Sequence, residues 1–468
     1  MKARKNHKHL PPNLSNFLSS FREIGYLCEV AIADILDNSV SAKSSEIRIT
    51  ALEYPSKKIC ICDNGSGMSP KELEEAMRLS SKNPNDKREK NDLGRFGLGL
   101  KVASFSQCKR LTVLTKTKDS DINGLQWDLD YIADTNDWYA LIPDFNEYKD
   151  EVKELSELES GTQVIWEQID KFENVEFKEE VDKIINHLGL VFHKYIDGIE
   201  GKKLSISINK NLVKSINPFF PGSARQKLQE YPFNYPNGKV VVTPYVLPHH
   251  NNVTEIDYKR HALLEGYLKT QGFYLYRNNR LVTWGNWWGL AQSTEALKLV
   301  RIEIEIPNTM DSEWNIDLKK STAKPPYVIR QELKKVLDYV NPVGKRVYSG
   351  RIPRKDKANL IHIWDYVPRR DNTNKNILKI NRNHPLIELL QDKCSDEGLV
   401  ILNALLIGLE QYLPIETIIS QLISNPKEID QSNEEAEFAN YLQSILRDNS
   451  LSPEQKADLL KTEFYKNE

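Results

Sequence analysis

The sequence has few cysteines and almost no net charge. Its 468 residues include 64 Lys and Arg against 66 Asp and Glu, which gives a net charge of −2. This balance excludes a chain-wide attraction to polyanions, so a nucleic-acid surface would have to be a local patch. The cysteines form no disulfide framework, which favours a reducing compartment; they are Cys28, Cys60, Cys62, Cys108 and Cys394.

Long apolar runs and internal repeats are also missing. No stretch reaches the roughly 20 residues that a membrane-spanning helix needs, and no apolar signal core follows the basic segment MKARKNHKHLPPN. No repeat of the solenoid kind is found. We therefore expect a cytoplasmic protein without membrane association, and the length predicts two or three domains.

The pattern of apolar residues predicts an α+β fold. Residues 14–44 predict one helix, and EIRITAL and KKICICD predict two strands. The alternation in KKICICD favours buried thiols over a metal site at its two cysteines. Helix, strands, a glycine turn, another helix and further strands then predict a sandwich with helices on one sheet face. The regular βαβ alternation of a Rossmann or P-loop domain is not present.

Two further units are predicted after residue 175. EEVDKIINHLGLVFHKYI predicts an amphipathic helix and KLSISIN a strand, and these begin the second unit. The third unit, from about residue 340, is polar and mainly helical. Its residues 345–382 hold eleven Lys and Arg against three Asp. With Trp364, Tyr366, Arg369 and Arg370, this basic region predicts either contacts with DNA phosphates or a solvated surface.

Two motifs place polar side chains next to predicted secondary structure. Asp34 and Asn38 are one helical turn apart and share a helix face, where a carboxylate and an amide suit Mg²⁺ and an activated water. Alone, this pair is also compatible with a solvated face. In CDNGSGMS, Asp63 ends a strand beside Gly65 and Gly67, so its carboxylate can accept a hydrogen bond from an amino group such as that of adenine. An ordinary Asn-Gly turn is the alternative.

Glycines and a threonine form two more motifs. LGRFGLGLKVASFSQC places Gly94, Gly97 and Gly99 directly before a predicted helix, where bare main-chain amides can approach a phosphate. A glycine triplet by itself is weak support for a phosphate site. The polar stretch SSKNPNDKREKND before it predicts a loop. Thr162, in SGTQVIW, either reaches a ligand or ordered water, or simply starts a strand.

These four motifs, in this order, resemble the GHKL ATPases, which include the ATPase component of DNA gyrase, heat-shock chaperones, histidine kinases and MutL. AIADILDNSVSA, DNGSGMS, GRFGLGLKVASFSQC and HLGLVFHKYI are most similar to MORC (microrchidia) ATPases and their bacterial relatives, and the similarity covers roughly residues 20–325. The resemblance implies an N-terminal arm at 1–20 and a GHKL (Bergerat) ATP-binding α/β sandwich at 21–172. It further implies a transducer-like α/β domain at 173–340 and a basic linker with a helical C-terminal region at 341–468.

The resemblance also implies roles for single residues. Asp34 stands where the family has a Glu that acts as general base on the water attacking the γ-phosphate, and its shorter side chain predicts slow hydrolysis. Asp37 follows the family's acidic preference. Asn38 matches the Mg²⁺ ligand, Asp63 the adenine-reading carboxylate and Thr162 the threonine that helps to fix adenine through water. Further ATP-binding positions implied are Gly65, Gly67, Met68, Gly94, Arg95, Phe96, Gly97, Leu98, Gly99 and Lys101.

Three lysines carry alternative interpretations. Lys101 lies one turn into the helix after the glycines, where it either touches a phosphate or is solvated. In MDSEWNIDLKKSTAKPP, Lys319 or Lys320 matches the transducer lysine that reaches the γ-phosphate, and a solvated strand end is equally compatible. The loop at 80–93 matches the ATP lid, which orders over the triphosphate.

The resemblance implies an ATP-operated clamp that forms a homodimer around ATP and Mg²⁺ and acts on DNA. In bacterial relatives such a protein would serve genome defence or DNA processing beside a nuclease or other protein partner. A chaperone-like ATPase that remodels protein clients is the alternative. A histidine kinase is disfavoured because no phosphoacceptor helix precedes the ATPase segment.

Overall fold

The computed structural model describes residues 13–23, 25–79, 99–171, 176–198, 201–220, 226–249, 253–263, 265–317, 323–348, 361–368, 376–415, 417, 435–462 and 464. The chain divides into two compact units, residues 1–349 and 350–468. The first unit contains two sheets with their helices. Within the described residues, no helix combines the length and the hydropathy needed to cross a bilayer.

The first sheet is mixed, with seven strands in the described part of the chain, in the order β4-β3-β5-β2-β1-β6-β7. Its pairs are antiparallel except for β1 and β6, which run parallel with Glu46 opposite Ser205. The strands are β1 (Glu46–Leu52), β2 (Lys58–Asp63), β3 (Cys108–Lys116), β4 (Asn123–Asp128), β5 (Gly161–Ile169), β6 (Ser205–Ile208) and β7 (Asn211–Leu212).

The helices that accompany this sheet are α1 (Leu14–Arg22), α2 (Cys28–Ser41), α3 (Pro70–Met77), α4 (Gly99–Gln107), α5 (Leu129–Thr135), α6 (Lys149–Ser156), α7 (Phe177–Val191) and α8 (His193–Asp197). Helix α2 buries Ile32 and Leu36 in the main core, which it shares with Ile49 and Val113 of the sheet. The large apolar area removed from water there is the main stabilising contribution.

The prediction of helices on one sheet face is wrong for α6. Leu155 of this helix packs with Leu114 and Ile165 in a separate cluster on the opposite face of the sheet from the main core. Alternate residues of a strand point to opposite faces, and Val113 and Val164 belong to the main core. Both faces of the central strands are therefore covered.

The single helix predicted over residues 14–44 is two helices in the structure. Gly25 lies between them with φ of +75°, a left-handed conformation that ends a helix and that glycine adopts without strain. The apolar spacing continues across this break and conceals it. Helix α3, by contrast, begins where its residues indicate, because Ser69 and Glu72 form a capping box in front of Pro70.

The second sheet has the strand order β12-β11-β13-β10-β8, with β9 paired to β10. Helix α11 packs Leu333 and Leu337 into its core with Val242 and Ile302. The elements are β8 (Gln226–Lys227), β9 (Tyr231–Tyr235), β10 (Gly238–Val246), α9 (Glu255–His261), α10 (Gly266–Thr270), β11 (Gly272–Arg277), β12 (Arg280–Asn286), β13 (Val300–Ile306) and α11 (Tyr327–Tyr348), with 3-10 turns at Glu295–Leu297 and Asn308–Met310.

Two elements expected at the start of the second unit join the first sheet instead. KLSISIN supplies β6, which pairs with β1, and α7 buries Ile184 and Leu188 in the same core as α2. An amphipathic helix does not identify which sheet its apolar face covers. The chain therefore passes from the first sheet to the second after β7.

In the unit formed by residues 350–468, the described residues are mainly helical. Strands β14 (Trp364–Pro368) and β15 (Asn376–Ile380) pair antiparallel. The helices are α12 (Pro385–Lys393), α13 (Asp396–Gln411), α14 (Glu435–Leu446) and α15 (Pro453–Leu459). Small apolar clusters hold this unit together, one around Ile387 and Leu402 and one around Leu389 and Leu459.

Candidate functional site

Two buried carboxylates of helix α2 face an arginine from the second sheet. Arg280 Nε lies 3.1 Å from Asp37 Oδ1, and Arg280 Nη2 lies 3.7 Å from Asp34 Oδ1. All three residues are at most 2% exposed. A buried carboxylate is costly unless it is paired or hydrogen-bonded, so the contacts with Arg280 offset part of the cost of burying two acids on one helix.

Tyr26 contacts the carboxylate of Asp34 at its second oxygen. Its hydroxyl donates to Asp34 Oδ2 at 3.1 Å. Burial, and then the charge of Asp34, raises the pKa of Tyr26, so the phenol stays protonated and remains a donor. The carboxylate of Asp317 raises this pKa further. Asp317 is the last described residue before Lys319 and Lys320, which both lie outside the described residues.

Asn38 lies one turn after Asp34 on the exposed side of α2. Its amide nitrogen donates to the Asp34 carbonyl oxygen at 3.3 Å. With the nitrogen used in this way, the amide oxygen is the group that Asn38 offers to a ligand. A neutral oxygen beside carboxylates is a donor that Mg²⁺ accepts in proteins, usually with phosphate oxygens and water completing its octahedron. The chemistry of this donor set fits magnesium.

Asp63 ends strand β2 and is held by three donors. The Ser39 hydroxyl donates to Oδ2 at 2.7 Å, and the Gly65 main-chain N–H donates to Oδ1 at 2.8 Å. The main-chain N–H of Thr162, its partner in the β2–β5 register, is the third donor. Burial raises the pKa of Asp63 above its ordinary value, and these hydrogen bonds offset only part of the rise. Since a carboxylate has about four acceptor positions, one stays available for an amino group.

Two threonine hydroxyls lie next to Asp63 at the same edge of the sheet. Thr115 of β3 and Thr162 of β5 are register partners, and their hydroxyl oxygens are 3.0 Å apart. Thr115 Oγ1 also accepts from the Met68 main-chain N–H at 2.9 Å. Sequence reasoning found Thr162 and Met68 but not Thr115, because only strand pairing shows that these residues share one hydrogen-bonded group.

The two glycines after Asp63 have a packing role. A Cβ at Gly65 would lie 2.7 Å from the Cβ of Ala42, at the end of α2. Gly67 has φ of +67°, and a Cβ there would overlap the Lys116 carbonyl oxygen. Both glycines therefore let the turn after β2 lie close to α2 and β3, which fixes the position of Asp63.

The glycine loop is described only at its end. Gly94, Arg95, Phe96, Gly97 and Leu98 lie outside the described residues. Gly99 is the first described residue of α4, and a Cβ there would meet no atom of the described residues within 4 Å. The N-terminus of a helix is a favourable position for an anion.

Lys101, predicted either to touch a phosphate or to be solvated, is buried beside the end of helix α3. It is 1% exposed, and its ammonium group donates to the carbonyl oxygens of Ala76 at 2.7 Å and Arg78 at 2.8 Å. These carbonyls are at the C-terminal end of α3, where a cation is stabilised by the helix dipole. In this structure Lys101 joins α3 to α4.

Arg280 was missed by sequence reasoning. The pattern of GFYLYRNNRLV predicts only a strand, whereas the structure has a hairpin in which β11 and β12 meet at Asn278 and Asn279. Both turn residues have positive φ, 48° and 67°. Two asparagines between apolar runs are a known hairpin signal. That signal identifies the turn, but nothing in it indicates that the next arginine reaches helix α2.

In the first sheet and its helices, an acid and an asparagine lie one turn apart on α2, and a buried aspartate ends β2. Residues 26–162 match the family model described as histidine kinase-, DNA gyrase B-, and HSP90-like ATPase. The match supports the GHKL superfamily, whose domains bind and hydrolyse ATP. No curated protein matches the chain.

Proposed function

We propose that this protein is a MORC-like conformational switch that binds ATP with Mg²⁺ and hydrolyses it slowly. The observation that supports this most is that helix α2, which carries Asp34 and Asn38, contacts Asp63 at the end of β2. Ser39 joins the two motifs, since it belongs to α2 and donates to Asp63. One continuous set of contacts thus connects the adenine-reading group to the residues proposed for chemistry.

The proposed chemistry assigns one task to each group. The free acceptor position of Asp63 takes the adenine amino group, and Thr162, with Thr115 beside it, orders a water next to the ring. Asn38 would hold Mg²⁺, which would neutralise phosphate charge when bound. Asp34 accepts a proton from the attacking water as the water oxygen bonds to the γ-phosphorus and the bond to ADP breaks. Lys319 or Lys320 stabilises the charge on the γ-phosphate.

Slow hydrolysis is expected from the length of the base. Asp34 is one methylene shorter than the glutamate of the family, and a displacement of about 1 Å can cost on the order of 100-fold in rate. Tyr26 and Arg280 each contact one of its two oxygens, so the side chain has little freedom to compensate, although each oxygen keeps a further acceptor position. The protein would then remain in its ATP-bound state for long periods, which suits a switch.

The proposed action is that of a homodimeric clamp on DNA in the cytoplasm, with a nuclease or other protein partner, in defence or DNA processing. ATP binding would close two subunits and hydrolysis would reopen them. The basic region 345–382 is the proposed DNA contact. Arg382 in this region pairs with Glu410 at 3.0 Å, so other cations of the region would have to make the phosphate contacts. Trp364 is 37% exposed and available to stack.

A chaperone-like action on protein clients is the second candidate. It is favoured by one observation, the exposed apolar side chains of α13. Val400 is 69% exposed, Ile401 70% and Leu405 59%. Exposed apolar groups of this kind favour contact with apolar protein segments over contact with DNA.

Hydrolysis, nucleotide binding and molecular size test the proposal together. We expect phosphate release with ATP and Mg²⁺, and a compact dimer with a non-hydrolysable ATP analogue. DNA binding should weaken steeply as salt is raised. Absence of analogue binding would contradict the ATPase proposal. Analogue binding without any DNA binding at low salt, together with suppressed aggregation of an unfolding client, would favour the chaperone candidate.

A further inference from the structure

Arg280 connects the two sheets of the first unit at the proposed catalytic base. It is the first residue of β12 in the second sheet, and its guanidinium lies against Asp34 and Asp37 of α2. Its Nη1 also donates to the Leu281 carbonyl at 3.1 Å. These contacts use all three nitrogens of the guanidinium, so the fork has one fixed orientation.

The surroundings of Arg280 hold it in that orientation. His187 of α7 lies beside Arg280 and Asp37, and burial lowers its pKa to about 3, so the ring is neutral at physiological pH. The Tyr195 hydroxyl of α8 donates to the Asn278 carbonyl at 2.6 Å and holds the hairpin turn. Trp284 of β12 contacts the His187 ring, with centroids 5.8 Å apart. Helices α7 and α8, which accompany the first sheet, therefore contact the hairpin that carries Arg280.

The neighbouring arginine of the same hairpin has another partner. Arg277 forms a bidentate pair with Asp311, with distances of 2.6 and 2.7 Å. Both members of that pair are at most 2% exposed. It lies within the second sheet and its adjoining turn. Arg277 is therefore as buried as Arg280, but its partner belongs to the turn beside the second sheet and not to helix α2.

We propose that Arg280 is a positioning residue for ATP hydrolysis, which holds Asp34 in place through its shared contact with Asp37. The inference rests on the proposed role of Asp34 as the base. It adds a dependence of hydrolysis on the second sheet, because the base is held only while the β11–β12 hairpin is docked on α2. Any movement of that hairpin then changes turnover without a change in the groups that bind adenine.

Site-directed variants of the full chain test this. We expect Arg280→Gln to lower kcat by about 10- to 100-fold and to leave the affinity for a non-hydrolysable ATP analogue within about twofold. Arg280→Lys should recover part of kcat, since an ammonium group reaches one carboxylate but does not bridge two. Arg277→Gln is the matched control, which loses a buried hairpin arginine and should retain kcat in the fraction that is folded.

A further pair of variants keeps the test possible if Arg280→Gln does not fold. Asp37→Asn removes the other half of the contact and should lower kcat in the same way. In the double variant with Arg280→Gln, kcat should fall no further than in the lower single variant, because both changes break one contact. If Arg280→Gln is unfolded, Arg280→Lys and Asp37→Asn carry the test.

The results distinguish failure of the proposed role of Arg280 from failure of the proposed ATPase function. The inference is overturned if kcat stays within about twofold of wild type in the folded Arg280 and Asp37 variants while Asp34→Asn abolishes turnover. It is also overturned if analogue affinity falls in parallel with kcat, or if Arg277→Gln lowers kcat equally. If the wild-type protein does not hydrolyse ATP, the proposed function fails and the inference fails with it.

Discussion

The Ser39 hydroxyl donates a hydrogen bond of 2.7 Å to Oδ2 of Asp63. This contact joins helix α2, which carries the proposed base Asp34, to the strand end that is proposed to read adenine. Because Ser39 is 3% exposed and Asp63 6% exposed, water cannot readily replace the bond. A change at this serine should therefore affect the nucleotide site without touching the ligand.

We predict that Ser39→Ala weakens binding of an ATP analogue by about 10-fold, the cost of removing one hydrogen bond to a buried carboxylate. Calorimetric titration measures the change. Ser41→Ala is the control, because the Ser41 hydroxyl donates to the Asp37 carbonyl of the same helix and not to Asp63. Equal losses in the two variants would assign the effect to α2 as a whole.

Asp34→Asn should abolish turnover and preserve analogue binding. The amide cannot accept a proton from water, and loss of a general base costs about 100-fold or more, but none of the adenine contacts changes. Asp34→Glu should hydrolyse faster than wild type if the native side chain is too short. Steady-state phosphate release measures both variants. Unchanged turnover in Asp34→Asn would remove this residue from the base role.

Gly67→Ala should destabilise the fold strongly. The new Cβ would overlap the Lys116 carbonyl oxygen at a positive φ, and we expect a loss of about 2–4 kcal/mol in the free energy of unfolding. At Gly99 a new Cβ would meet no atom of the described residues within 4 Å, so Gly99→Ala should cost less than about 1 kcal/mol. Denaturant unfolding compares the two variants. A similar loss of stability in both variants would show that the steric overlap at Gly67 is not the cause of the loss.

Lys101→Met should lower stability more than it lowers nucleotide affinity. It leaves the Ala76 and Arg78 carbonyls without their buried donor, at a cost of about 1–3 kcal/mol. Thermal unfolding and analogue titration separate the two effects. A large loss of affinity at unchanged melting temperature would support the phosphate contact that the motif suggested.

The residues that sequence reasoning brought together correctly are those whose geometry is local. Asp34 and Asn38 are one helical turn apart by spacing alone, and α2 has them in direct contact. Asp63 and Thr162 lie at strand ends, so pairing of β2 with β5 makes them neighbours. The functional roles of these residues remain predictions, but their proximity follows from elementary periodicity.

The contacts that were missed depend on tertiary packing. Arg280 and Asp37 are 243 positions apart, and nothing in the RNNR hairpin indicates which helix it meets. Thr115 looks like an ordinary strand residue until the β3–β5 register is known. Lys101 follows the glycine motif as a phosphate ligand would, yet the nearby end of α3 offers it two carbonyls. Sequence spacing does not reveal which of two partners a long side chain reaches.

Two histidines, the buried His193 and the half-buried His187, should make the fold sensitive to acid. Burial lowers the pKa of His187 to about 3 and that of His193 to about 3, and nearby Lys194 lowers that of His193 further. The unfolded chain binds these protons near the ordinary histidine pKa of about 6.5. Stability contributed by the neutral rings is therefore fully present above pH 6.5 and is lost as pH falls from 6.5 towards 3, by at most about 1.4 kcal/mol per pH unit for each histidine.

His193→Gln tests this at the residue whose partner is clearest. His193 Nε2 lies 2.8 Å from the Tyr276 hydroxyl, and glutamine can keep a hydrogen bond there while it does not titrate. Denaturant unfolding at pH 7, 6, 5 and 4 should give a shallower loss of stability in the variant than in wild type, even if its stability at pH 7 is lower. Parallel curves over this range would mean that the folded protein protonates His193 as readily as the unfolded chain does, because only a proton taken up on unfolding produces the slope.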